Sequence, residues 1–302
     1  MRFTLHDHQG KGDAFRTALL AAGWLETPGP ADLLLIDHDV PGFHRQTIEA
    51  HAAQGAKVVL YPHGAMPLVS WDGLFEPSGL VALTLTPAPG QRDVLGWYGY
   101  PGPTAVVGWS MCPLRKFRPG PEPRTVLFAP YHPTNGDLHP AAQEANARTF
   151  AALLAYAPET LVVRYSELET SGLWDVEGVV YHEMDLNLAG ALDDIARADL
   201  VVATGTLAYL AVASGKPTVF FGQEVCPWEK TSTGYRYAQL FMEYCDFLRF
   251  PVHYDGGPLG PYVEAAFTEG PEVREWKARF IGPPFNPAHF VKMMTRVVTG
   301  EE

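Results

Sequence analysis

Short runs of aliphatic and β-branched residues, each followed by turn formers and then by an Ala-rich stretch with helical spacing, recur along this chain and restrict its fold more than any other feature. Runs such as LLLID at Leu33–Asp37, KVVLY at Lys57–Tyr61 and LVVAT at Leu200–Thr204 are apolar at nearly every position rather than at alternate ones. Such runs fit strands covered on both faces, the arrangement that parallel sheets with crossover helices produce. The expected class is therefore α/β. With 302 residues and 47% of them apolar, the chain has enough core for one large or two ordinary domains and is neither fibrous nor disordered.

In the first part, strands are expected at Arg2–His6, Leu33–Asp37, Lys57–Tyr61, Val81–Thr86 and Thr104–Gly108, with helices at Gly12–Ala22 and Phe43–Gln54. The stretch CPLRKFRPGPEPR, Cys112–Arg124, holds four prolines in thirteen residues; it fits neither a sheet interior nor a helix and reads as an interdomain linker. Strand–helix alternation then restarts. Strands are expected at Thr125–Ala129, Thr160–Arg164, Gly178–His182, Leu200–Thr204 and Thr218–Phe221, and helices at Pro140–Ala155, Leu188–Ala198 and Leu207–Ser214. Two more helices, Tyr262–Phe267 and Pro287–Val298, close the chain. The expected organisation is a domain over 1–114, a linker over 115–124, a second domain over 125–285, and a last helix within 286–302 that crosses back. Two such sheets would face each other across a cleft, where the carboxyl ends of the strands meet.

Charge and cysteine usage narrow the function. The chain carries 22 basic against 34 acidic side chains, a net charge of −12, with 9 against 10 in residues 1–120 and 13 against 24 beyond them. An acidic surface of this kind does not suit general nucleic-acid binding, which works by displacing phosphate counterions. The cysteines, Cys112, Cys226 and Cys245, are far apart and form no C-x-x-C, so neither a zinc site nor a disulfide framework is indicated. The first residues turn polar before an apolar signal core can form, and a cytoplasmic location is expected. The apolar stretch Asp199–Gly222 is nominally long enough to span a bilayer, but Gly205, Ser214, Gly215, Lys216 and Pro217 divide it, so no transmembrane segment is expected.

The segment Ala198–Phe221, ADLVVATGTLAYLAVASGKPTVFF, carries the most chemistry. A buried strand ends at Thr204-Gly205-Thr206 and a helix follows at once, converging backbone N–H groups, hydroxyls and a helix dipole on a spot suited to phosphate. The same residues also read as an ordinary Thr-capped helix. Gly215-Lys216 is not a Walker lysine, because Pro217 stands where a metal-binding hydroxyl belongs, and the chain has no G-x-G-x-x-G.

This run resembles the nucleotide-binding segment in the second domain of GT-B glycosyltransferases, where a small-residue turn, a helix and Gly-Lys-Pro follow a strand. Lipid A disaccharide synthases carry a similar turn at that distance. Val126-Leu127-Phe128-Ala129-Pro130, Leu161-Val162-Val163-Arg164 and Tyr61-Pro62-His63-Gly64 look similar to the CDP-glycerol glycerophosphotransferase branch. The resemblance implies two Rossmann-like domains and a nucleotide-activated sugar or polyol as donor substrate, with an unknown hydroxyl acceptor and no tightly bound cofactor. It departs from the family at Leu210, where many GT-B transferases place a ribose-binding Glu, and at Tyr165-Ser166, where the glycerophosphotransferases have His-Pro.

On that reading Thr204, Gly205, Thr206, His132 and Thr134 are candidates for the donor phosphates. Arg164, ending its strand, is a bidentate partner for a diphosphate or a member of an ordinary surface ion pair. Glu224 would accept from a ribose or sugar hydroxyl. In the first domain His63 follows a buried strand and supplies a base titrating near neutral pH; Asp37 and Asp39 offer carboxylates for the same task. Two other classes remain open: a catalytically inactive nucleotide-sugar-binding module, and a metal-dependent hydrolase built on His6, His8, Asp37 and Asp39. No metal site is assigned, because neighbouring strand residues point to opposite faces.

Overall fold

The computed structural model describes residues 1–7, 10–37, 41–61, 78–97, 100–111, 123–130, 140–165, 176–183, 188–221, 252–253, 256–268 and 270–301. These divide into two compact units. Domain one comprises the described residues up to 111 together with 278–301, and domain two comprises those from 123 to 277. Most of the Pro-rich stretch and all three cysteines lie outside the described residues.

Domain one is a six-stranded sheet in the order β2-β1-β3-β4-β5-β6, built from β1 (Arg2–His6), β2 (Leu25–Glu26), β3 (Leu33–Asp37), β4 (Lys57–Tyr61), β5 (Val81–Thr86) and β6 (Thr104–Val106). Every pairing is parallel. Helices α1 (Asp13–Ala21), α2 (Pro41–Ala53) and α3 (Pro89–Trp97) connect strands. Alternate residues of the strands feed two cores: Leu33, Leu35, Val59 and Tyr61 on one face, Leu34, Ile36, Val58 and Leu60 on the other. That division is why the sequence runs are continuously apolar.

The first of these cores is completed by the end of the chain. Helix α9 (Pro287–Thr299) starts at Asn286, whose side chain accepts from His289 N at 3.0 Å, with Pro287 in the first turn. Its Phe290 and Met294 are fully buried; the Phe290 ring lies 4.8 Å from Phe15 of α1 and 5.6 Å from Phe285. The returning segment is fixed before the helix as well: buried Gln91 donates through Nε2 to the Phe280 carbonyl at 2.8 Å, and Trp109 N donates to Pro283 O at 3.3 Å.

Domain two holds β7 (Thr125–Ala129), β8 (Thr160–Tyr165), β9 (Val179–Glu183), β10 (Leu200–Ala203), β11 (Thr218–Phe221) and β12 (Val252–His253), again all parallel, in the order β12-β11-β10-β7-β8-β9. Its helices are α4 (Pro140–Tyr156), α5 (Leu188–Arg197), α6 (Gly205–Ala213), α7 (Gly260–Phe267) and α8 (Pro271–Trp276). One core joins Val126, Phe128, Val163, Val202 and Phe221 to Phe150 and Leu153 of α4 and Val263 of α7. On the other side of the sheet Tyr209 of α6 packs edge-on to Phe220 and against Trp276. Helix α6 is buried from Ala208 to Ala213. The apolar stretch of membrane-spanning length is thus β10, α6 and β11, and among the described residues no helix is long and apolar enough to cross a membrane.

Phe290→Ala is expected to lower the stability of domain one by about 3–5 kcal/mol, as for other buried aromatic truncations. Urea unfolding would read this as a fall in midpoint; a change below about 1 kcal/mol would show that α9 adds little to this core.

Candidate functional site

Parallel topology puts the carboxyl ends of all strands in a domain at one edge, and a crevice opens where the strand order reverses. In domain two the chain builds β7, β8 and β9 outward and then returns to place β10 on the opposite side of β7. The crevice therefore lies between the ends of β7, at Ala129, and β10, at Ala203. Thr204, Gly205 and Thr206 stand at the β10 side, half-buried. Thr204 is the N-cap residue of α6, extended at φ −127° and ψ 170°, and its hydroxyl makes no capping bond to the helix. Gly205 has φ +58°, a conformation that disfavours any side chain, and a Cβ built there would meet no atom of the described residues within 4 Å. The first N–H groups of α6 and the helix dipole favour an anion ahead of this turn.

Lys216, beyond the far end of α6, does not face that turn. Its Nζ donates to the carbonyls of Ala196 and Ala198 at 2.9 and 2.6 Å, closing the carboxyl end of α5. Arg164, near the end of β8, pairs with Asp194 of α5, and the pair is buried rather than at the surface as the ion-pair reading expects, because α5 covers this end of β8. Leu210 is buried inside α6, where it packs in the core. His132 and Thr134, in the loop after β7, and Glu224, after β11, lie outside the described residues.

Domain one has its own reversal, between β1 and β3, because β2 lies on the far side of β1. Here the chemistry differs. Asp7 Oδ1 accepts from Gly12 N at 2.9 Å and from the Tyr61 hydroxyl at 3.3 Å, and the same hydroxyl lies 2.7 Å from the His6 carbonyl oxygen. Gly12 is needed for this approach, since a Cβ there would stand 2.9 Å from Tyr61 Oη. The start of α1 is thus already occupied by a carboxylate, in contrast to α6. Asp37, at the end of β3, is 1% exposed. Asp39, His63 and His8 lie outside the described residues, and among the described residues no cluster of three or more metal-ligating side chains occurs.

Burial, reinforced by the charges of Asp7 and then Asp37, pushes the Tyr61 phenol well above the ordinary tyrosine value. Tyr61 and Gly12 were not singled out by sequence, although Tyr61 directly precedes the Pro62-His63-Gly64 turn that was. Asp194 was missed too. Its signal was legible: it sits between Ala191 and Ile195 on the buried stripe of α5, where an acidic residue requires a partner.

Two solved structures resemble the chain over nearly its whole length. UDP-GlcNAc 2-epimerase from Neisseria meningitidis, bound to UDP-GlcNAc, superposes with a TM-score of 0.54 and 12% identity, covering 100% of each chain. The wall teichoic acid polymerase TagF gives a TM-score of 0.55 with 11% identity, covering 99% of this chain and 88% of the other. The chain has the GT-B fold. In sequence, no family model matches it and no curated protein does either. The GT-B likeness to these structures therefore concerns architecture, and the roles of individual side chains rest on the geometry above.

Because folded Tyr61 keeps its proton past the point at which the unfolded chain releases it, its contribution to stability is full below about pH 10 and is lost as pH rises above that value. Tyr61→Phe is expected to flatten the alkaline decline in urea midpoint between about pH 9 and pH 11. An unchanged slope would show that this phenol ionises as an ordinary exposed one.

Proposed function

We propose that this chain is a GT-B-type glycosyltransferase that takes a nucleotide-activated sugar or polyol in domain two and a hydroxyl acceptor in domain one. The observation that carries the reading is the β10–α6 turn. A helix start, a glycine at φ +58° that no atom of the described residues crowds, and a position at the topological switch point coincide there. The α1 start in domain one is filled by Asp7, which favours the donor phosphates in domain two.

In the proposed reaction an acceptor hydroxyl attacks the activated carbon of the donor, or its phosphorus in the polyol-phosphate variant, and the nucleotide leaves with its phosphate. The α6 N–H groups and dipole stabilise the charge that develops on the leaving group. The hydroxyl proton passes to a base of domain one, His63 or a carboxylate of the Asp37/Asp39 loop. His132, Thr134 and Glu224 remain proposed contacts to phosphate and to a ribose or sugar hydroxyl. The glycerophosphotransferase and lipid A synthase branches stay as proposals for the donor class.

A panel of UDP-, CDP-, GDP-, dTDP- and CMP-linked donors tests the first half, since a ligand bound only by the folded state raises the melting temperature. Gly205→Val, which adds strain and fills the space before α6, is expected to weaken binding of the best donor at least tenfold while the protein stays folded. Equal affinity in the folded variant would remove phosphate from this turn.

His63→Ala tests the second half. A general base contributes about 10²- to 10⁴-fold in rate, so transfer should fall by that much with donor affinity unchanged. An equal loss on replacing Asp37 or Asp39, with His63→Ala fully active, would move the base to the carboxylates. Binding without transfer or donor hydrolysis across a broad acceptor panel would instead identify a nucleotide-sugar-binding module.

A further inference from the structure

Asp194 holds two side chains at once. One carboxylate oxygen takes Arg164 Nη1, and the other lies 2.8 Å from His182 Nδ1. The side chains of Arg164 and Asp194 are 2% and 5% exposed, whereas that of His182 is 50% exposed. Arg164 and His182 are register partners, each the next-to-last residue of its strand, so both stand at the carboxyl edge of the sheet on the face covered by α5.

Asp194, itself held by Arg164, stands 2.8 Å from Nδ1 and so orients the half-exposed imidazole at the sheet edge. Among the described residues Asp194 is the carboxylate that stands beside the imidazole. His253 of the same sheet provides the contrast: it is buried, with Nδ1 on Thr149 Oγ1 at 3.2 Å and Nε2 on Gly257 O at 3.0 Å, so both its ring nitrogens are used inside the domain. Burying an ion pair is costly and on its own adds little stability. Spending one to orient a half-exposed imidazole makes sense where that imidazole is to be read by something outside.

We propose that His182 recognises the nucleoside part of the nucleotide whose phosphates lie at Gly205, its Nε2 accepting a hydrogen bond from a ribose hydroxyl or from an N–H of the base. The inference rests on the donor reading above. Strands β10, β7, β8 and β9 are consecutive neighbours, so His182 lies three strand spacings from the phosphate turn, about 14 Å along the sheet edge. An extended nucleoside diphosphate has that reach. The ligand class is a nucleoside diphosphate, and the group read is a hydrogen-bond donor on its nucleoside half.

Calorimetry on the full chain with UDP, CDP, GDP and ADP, in wild type, His182→Ala and Gly205→Val, tests this. The wild type is expected to bind at least one of them, and His182→Ala to bind that nucleotide about three- to tenfold more weakly, the range of one hydrogen bond. Its affinity for inorganic pyrophosphate should be unchanged. The 2′-deoxy form of the same nucleotide then separates the two sources. If the hydroxyl is read, wild type and His182→Ala bind it equally; if the base is read, the difference between them persists. A folded His182→Ala that binds like wild type, while Gly205→Val does not, overturns this inference and leaves the donor reading standing. Binding of no nucleotide by the wild type overturns both.

Discussion

Parallel strands cannot be joined by tight turns, and the rest of this molecule follows from that constraint. Each strand must be followed by a connection that returns over a face of the sheet, so both faces are covered and the strands become apolar at successive positions. Polar chemistry is then expelled to the strand ends, and all carboxyl ends in a domain share one edge. Asp7, Asp37 and Tyr61 in domain one, and Thr204, Gly205 and His182 in domain two, share no motif; they belong together because each lies at or beside the end of a strand.

The two domains use the same topology for opposite electrostatic ends. At the start of α1 an aspartate fills the positive end of the helix, and Tyr61 and Gly12 are fitted around it, giving a rigid, already satisfied corner. At the start of α6 the capping position is threonine without a cap bond, and the residue after it is a glycine that no atom of the described residues crowds. One switch point is closed by a carboxylate of the chain itself, and at the other the helix start carries threonines and a glycine instead.

Strand placement was legible in the sequence because continuous apolar runs have few alternatives: β1, β3, β4, β5, β7 and β11 begin and end where the runs do. Less visible were α3, which starts at Pro89-Gly90 and has weak helical spacing, and the two-residue strands β2 and β12, which exist only by pairing with β1 and β11. The β10–α6 turn was legible because glycine between two threonines at a strand end is a local signal. The Arg164–Asp194–His182 arrangement was not, since its members come from two strands and a helix and meet only through tertiary structure. Sequence position assigned Arg164 two fates, and only the fold shows which partner it has.

The return of residues 278–299 into the core of domain one bears on how the chain is made. A ribosome delivers β1 to β6 well before Phe290 and Met294, so through most of synthesis Phe15 lacks the helix that covers it. Domain two, whose described core ends at Trp276, has all its parts first. Domain one is therefore the later of the two to complete its core, reversing the usual vectorial order, and Phe15 stays without this cover until α9 has been made.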